Sequence, residues 1–184
     1  AAIDDARLAR ADAEPQNWLA HGGNQQAHRF SGLDQIKPEN ISRLKPAWFL
    51  EFDTYRGQEA TPIVVDGVMF TSGPLGRVWA LDARTGALLW RFTPQVDGQI
   101  HRKTCCDQAN RGVAVWKGVV YVAALDGMLY ALDARSGRVG RLLALVERRE
   151  TGGDFSGSPV PPALFARFEV EALTWASQIT GGGK

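Results

Sequence analysis

An all-β fold of β-propeller blades, about two plus part of a third, preceded by an N-terminal arm, is what this sequence predicts. Three observations carry the prediction: a long internal repeat, apolar runs of strand length, and glycine turns between them. Residues 61–92, TPIVVDGVMFTSGPLGRVWALDARTGALLWRF, align without a gap on residues 112–143, GVAVWKGVVYVAALDGMLYALDARSGRVGRLL, at an offset of 51. Self-similarity at a long fixed period marks stacked structural units. Val64/Val115, Gly67/Gly118, Val68/Val119 and Gly76/Gly127 coincide, as do Ala80-Leu81-Asp82-Ala83-Arg84 and Ala131-Leu132-Asp133-Ala134-Arg135. Each copy spells strand, Gly turn, strand, Gly turn, strand, Asp-x-x-(Thr/Ser)-Gly turn, strand, and four short antiparallel strands make one blade.

In chain order, residues 1–43 form the arm, 44–160 the blades and 161–184 a divergent tail. The arm is polar, with a short helical period at Ile3, Ala6, Leu8 and Ala9 followed by the turn-rich Ala20-His21-Gly22-Gly23-Asn24. Strand-length runs then begin at Ala47-Trp48-Phe49-Leu50-Glu51-Phe52 and continue through 62–65, 68–71 and 78–81, separated by Asp66-Gly67, Gly73-Pro74 and Thr85-Gly86. In the Asp-x-x-(Thr/Ser)-Gly element, Asp82 or Asp133 is placed to accept backbone N–H bonds across its own turn. Gly86 or Gly137 supplies a positive φ, so the element is structural. Trp90, four residues after Gly86, is placed to wedge its ring between neighbouring blades; the second copy has Arg141 there. A third copy is expected to begin at Phe155-Ser156-Gly157-Ser158-Pro159-Val160, and the tail reads as proline-broken, then helical, then a flexible Gly181-Gly182-Gly183-Lys184.

A chain of 184 residues with a formal charge of +1 gives no electrostatic case for nucleic acid. Apolar residues make up 45% of it, yet no run approaches the roughly 18 needed to cross a bilayer, so a soluble chain without a transmembrane segment is expected. The start at Ala1-Ala2 without Met suits removal of an export signal, and an even cysteine count suits the periplasm.

Cys105 and Cys106 are the only cysteines, adjacent to each other between the two repeat copies. Three readings stand open: a strained ring closed by neighbouring sulfurs, two buried thiols, or half of a metal site. With only His21, His28 and His101 elsewhere, the spaced ligand pairs of structural zinc are missing. Glu59 and Arg111 likewise read, by themselves, as a solvated loop acid and a surface base capping a strand end.

The chain resembles the quinoprotein alcohol dehydrogenases, the PQQ-dependent methanol and ethanol dehydrogenases. The matching runs are Asn17-Trp18, Arg29 to Ile36, Asn40-Ile41 to Leu44 with Ala47-Trp48, Arg56-Gly57-Gln58-Glu59-Ala60-Thr61-Pro62, Asp82 to Trp90, Cys105-Cys106-Asp107 and Asn110-Arg111-Gly112. The resemblance implies an eight-bladed propeller with PQQ near its axis, stacked on a disulfide between Cys105 and Cys106. The resemblance further implies a Ca²⁺ or lanthanide ion that polarises the reactive carbonyl of PQQ. It also implies that Glu59 accepts hydrogen bonds from the cofactor edge, that Arg111 pairs with a cofactor carboxylate, and that the Ser156 hydroxyl binds the cofactor. Implied too are a small alcohol substrate, an Asp base, and an electron acceptor such as a cytochrome c or a quinone.

The family's metal ligands and base come from later blades and none is recognisable here, and no CxxCH haem attachment is present. This chain alone is therefore expected to be inactive. Two alternatives accompany the enzyme reading. One is a non-enzymatic propeller-fragment scaffold that binds through exposed strand edges; the other is a truncated or frameshifted product.

Overall fold

The computed structural model describes residues 3–103 and 107–144. Cys105, Cys106, the third repeat copy from Phe155 and the tail 161–184 lie outside the described residues. Two four-stranded antiparallel sheets follow one another: β1 (Ile63–Val65), β2 (Val68–Gly73), β3 (Arg77–Asp82) and β4 (Leu88–Phe92), then β5 (Ala114–Trp116), β6 (Val119–Ala123), β7 (Met128–Asp133) and β8 (Val139–Ala144). Each sheet is ordered as its sequence, the meander of a propeller blade.

The repeat offset persists into the hydrogen-bond register. Val64 faces Met69 as Val115 faces Val120, and Val68 faces Asp82 as Val119 faces Asp133. The third and fourth strands slip at Ala80/Leu81 in one sheet and at Ala131/Leu132 in the other. The hairpin turns Asp66-Gly67 and Lys117-Gly118 take positive φ at both positions, which twists two-residue turns to suit the strands. In the Asp turns, one carboxylate oxygen of Asp82 accepts the backbone N–H of Arg84 and Thr85 and the Thr85 hydroxyl. Asp133 does the same for Arg135 and Ser136. Gly86 and Gly137 have φ of +73° and +68°.

Tryptophan joins the sheets, as the position of Trp90 predicts. Trp90, only 8% exposed, donates its indole N–H to the Ala134 carbonyl at 3.0 Å. Its ring covers Gly137 so closely that a Cβ there would lie 2.6 Å from a ring carbon. Phe70 approaches Trp90 at 5.9 Å between centroids and Phe92 approaches Tyr130 at 5.1 Å. The resulting core runs through both sheets, from Ile63, Phe70 and Val78 to Val115, Val120 and Leu132.

The expected strand at 47–52 is not formed. Exposure alternates strictly from Trp48 to Thr54, as in a strand, but no ladder partner exists among the described residues, and backbone pairing defines a strand. Trp48 nevertheless donates its indole N–H to the Ala83 carbonyl at 3.1 Å and covers Gly86. The helical period of the arm gives a single turn, α1 (Asp5–Leu8), capped by the Asp4 carboxylate, which accepts the Arg7 N–H at 2.8 Å. No helix among the described residues is long and apolar enough to cross a membrane.

The arm fastens one end of the sheets. Trp18 exchanges two backbone hydrogen bonds with Val64 at 2.8 and 3.0 Å, and the Lys117 N–H donates to the carbonyl of buried Ile3 at 2.8 Å. Arg7 bridges Glu14 at 2.7 Å and Asp66 at 2.5 Å. Hydrogen bonds from its guanidinium hold both carboxyls below the usual carboxylate range.

Candidate functional site

With the arm and the hairpin and Asp turns at one end, the other end is where β1 and β5 begin and β2 and β6 finish. Two segments converge there, 56–61 leading into β1 and 107–112 leading into β5. Antiparallel meanders of equal length place these lead-in segments side by side. A parallel bridge pairs Thr61 with Gly112, and the Thr61 N–H donates to the Arg111 carbonyl at 3.4 Å.

Two ion pairs cross between these segments. Arg111 Nη2 lies 3.2 Å from Glu59 Oε2, with the side chains 63% and 46% exposed. Arg56 Nη1 donates to both carboxylate oxygens of Asp107 at 3.0 and 3.2 Å. Asp107, next in sequence to Cys106, takes φ +57°, a left-handed conformation uncommon for a residue with a side chain. The Gln108 carbonyl accepts the Leu75 N–H at 2.9 Å, which ties the same segment to the β2–β3 turn.

Of the sequence-predicted site residues, Glu59 and Arg111 are brought into contact. Cys105, Cys106 and Ser156 lie outside the described residues. Three residues to which the sequence alone assigned no role also belong here: Arg56, Asp107 and Asn110. A signal for two of them existed, because Arg56 and Asp107 occupy equivalent repeat positions, 51 apart, with opposite charge.

Chemically, a guanidinium beside a carboxylate on an open rim offers a planar, bidentate donor to an anion and an acceptor to a polar edge. An ion pair this exposed is worth little by itself. That donor set fits a flat polycarboxylate such as PQQ.

Consecutive four-stranded antiparallel meanders, joined by the Trp90 indole, define a segment of a β-propeller. The family model of the PQQ glucose/ethanol/alcohol dehydrogenase beta-propeller domain matches residues 18–141. The chain belongs to the PQQ-dependent alcohol dehydrogenase family. It is 52% identical over 136 residues to the quinohemoprotein alcohol dehydrogenase ADH-IIG of Pseudomonas putida, covering 74% of this chain and 19% of that protein. Over 132 residues it is 48% identical to the dehydrogenase subunit of the alcohol dehydrogenase (quinone) of Komagataeibacter europaeus, covering 72% and 18%. The solved structure of ADHIIG from Pseudomonas putida HK5 superposes with a TM-score of 0.78 at 48% identity, over 80% of this chain and 22% of that one. A europium-containing methanol dehydrogenase superposes with a TM-score of 0.72 at 34% identity, over 78% and 25%. The chain thus spans about a fifth of the length of the curated relatives it matches.

Proposed function

We propose that this chain supplies one wall of the PQQ site of a periplasmic dehydrogenase that oxidises primary alcohols. The observation that carries the reading is the convergence of Glu59 and Arg111 at one end of two adjacent blades, in a chain of this family. Arg111 pairs with a carboxylate of the cofactor, and Glu59 accepts a hydrogen bond from its edge. Cys105 and Cys106, joined as a disulfide, form a flat polarizable support for one ring face, and the Ser156 hydroxyl adds a hydrogen bond. When bound, PQQ supplies the two-electron acceptor for alcohol oxidation, with Ca²⁺ or a lanthanide as Lewis acid.

Arg56 and Asp107 anchor the segment that follows the cysteines. By itself the chain is expected to bind the cofactor weakly and not to turn over, because the family's base and metal ligands are not recognisable in its sequence. Electrons leave to an acceptor such as a cytochrome c or a quinone.

Titrating PQQ into cofactor-free protein, followed by tryptophan quenching, tests the reading. Arg111→Ala is expected to weaken binding roughly tenfold to a hundredfold, the worth of one charge-assisted hydrogen-bonded contact. Unchanged affinity removes Arg111 from the site. Thiol titration of unreduced protein checks the cysteines separately, and two reactive thiols refute the disulfide.

A further inference from the structure

The side chain of Asn110 makes three hydrogen bonds that join both sheets across the position of Arg111. Its Oδ1 accepts the hydroxyl of Ser72, at the end of β2, at 2.5 Å and the Gly112 N–H at 3.2 Å. Its Nδ2 donates to the carbonyl of Ala123, at the end of β6, at 2.8 Å. Ser72 is only 1% exposed, so on that side the bond is sheltered from water and its geometry is fixed by packed strands. Arg111 therefore sits between a residue clamped to both blades and Gly112, which Asn110 also holds and which bridges Thr61. The carbonyl of Arg111 is itself engaged by the Thr61 N–H.

We propose that Asn110 is a positioning residue for cofactor binding: it fixes the backbone at Arg111 across the seam between two blades and so presents the guanidinium pre-aimed. This rests on the reading that Arg111 meets a PQQ carboxylate. The physical need is plain. The Arg111 side chain is exposed, and a long flexible side chain on a loose loop would lose orientational freedom on binding, whereas a fixed Cα leaves only its own rotamers to order. Gly112 is part of the device. Its φ of +136° lies outside the range of ordinary residues, and it allows the turn that brings its N–H back to Asn110 Oδ1.

The test is a double-variant cycle on PQQ affinity, measured without alcohol in the full polypeptide its gene encodes, using Asn110→Ala, Arg111→Ala and both together. Asn110→Ala is expected to weaken PQQ binding about tenfold with Arg111 present and to have no further effect in the Arg111→Ala background. A merely structural role would lower the melting temperature equally in both backgrounds and leave the affinity of folded protein unmoved. That result overturns the proposal, as does a full additive loss in the double variant. If Asn110→Ala does not fold, Ser72→Ala, which removes only the sheltered donor to Oδ1, is expected to show the same coupling at about threefold. An Arg111→Ala variant that binds PQQ normally refutes instead the underlying assignment of Arg111.

Discussion

Trp48 and Trp90 each lay an indole over the glycine of an Asp-x-x-(Thr/Ser)-Gly turn, and each donates to a backbone carbonyl within that turn, at 3.1 and 3.0 Å. The segments that carry the two indoles differ. Trp90 belongs to β4, paired through its backbone with β3, whereas Trp48 belongs to a segment with the exposure pattern of a strand and no ladder among the described residues. Beyond the indole, that segment is held by Phe52 packed edge-on to Trp79 at 4.5 Å and by Asp53 on Arg77 at 3.1 Å. Phe49 is left 79% exposed. Docking onto the neighbouring turn is therefore separable from strand pairing, and the turn is the recognition element.

The largest test of this difference is removal of each indole. Trp90→Ala is expected to cost about 3–5 kcal/mol, because it empties a buried seat between two formed sheets. Trp48→Ala, at a half-buried seat on one sheet, should cost roughly 1–2 kcal/mol. Urea unfolding of the full polypeptide checks both, and equal losses would show that the 48–54 segment is held as firmly as β4.

The same pair of regions shows what a sequence discloses. The blade register was legible because both copies encode the same turns at the same spacing, and the Trp90 wedge was legible from its distance to Gly86. Trp48 precedes the first copy, so no repeat position announced its turn. Alternation at 47–52 reported how side chains face a neighbour, but a strand also needs a backbone partner, which is non-local information. At the site, family likeness singled out Glu59 and Arg111 individually. Their contact depends on the bridge between Thr61 and Gly112, far apart in sequence. Asn110 was harder still, because an amide advertises hydrogen bonding without naming its partners, here Ser72 and Ala123.

A smaller perturbation acts from the turn side of each seat. Alanine at Gly137 would place a Cβ 2.6 Å from the Trp90 ring, and at Gly86 one 2.5 Å from the Trp48 ring, each at a positive φ that costs roughly 1 kcal/mol by itself. Trp90 is pinned between sheets and cannot yield, so Gly137→Ala should cost about 2–4 kcal/mol in strain and displacement together. The Trp48 segment has no backbone ladder among the described residues and is expected to yield, leaving Gly86→Ala near the backbone cost alone, about 1–2 kcal/mol. Indole fluorescence should shift to the red in Gly86→Ala as Trp48 meets water. A ring that stays shielded there would mean the segment is rigid.

The smallest effect tests whether the two turns are equivalent once their tryptophans are set aside. The carboxyls of Asp82 and Asp133 are both held below their ordinary range, first by the hydroxyls of Thr85 and Ser136 and then by backbone N–H groups of the same turns. A folded-state value below the unfolded one means that each turn contributes stability above about pH 4, where an unfolded aspartate is ionised. That contribution fades as pH falls through the lower, folded value. The two aspartates accept the neighbouring backbone N–H at 2.7 and 2.8 Å and the hydroxyl at 2.7 Å in both turns. Asp82→Asn and Asp133→Asn should therefore remove equal parts of the acid sensitivity of the melting temperature, measured between about pH 2 and pH 5. Because every bond to these carboxylates comes from within the same turn, neither indole should influence the result. A larger loss of acid sensitivity in Asp133→Asn would show that the Trp90 dock feeds back on the turn beneath it, and the two seats would then differ in the turns as well as in the strands that meet them.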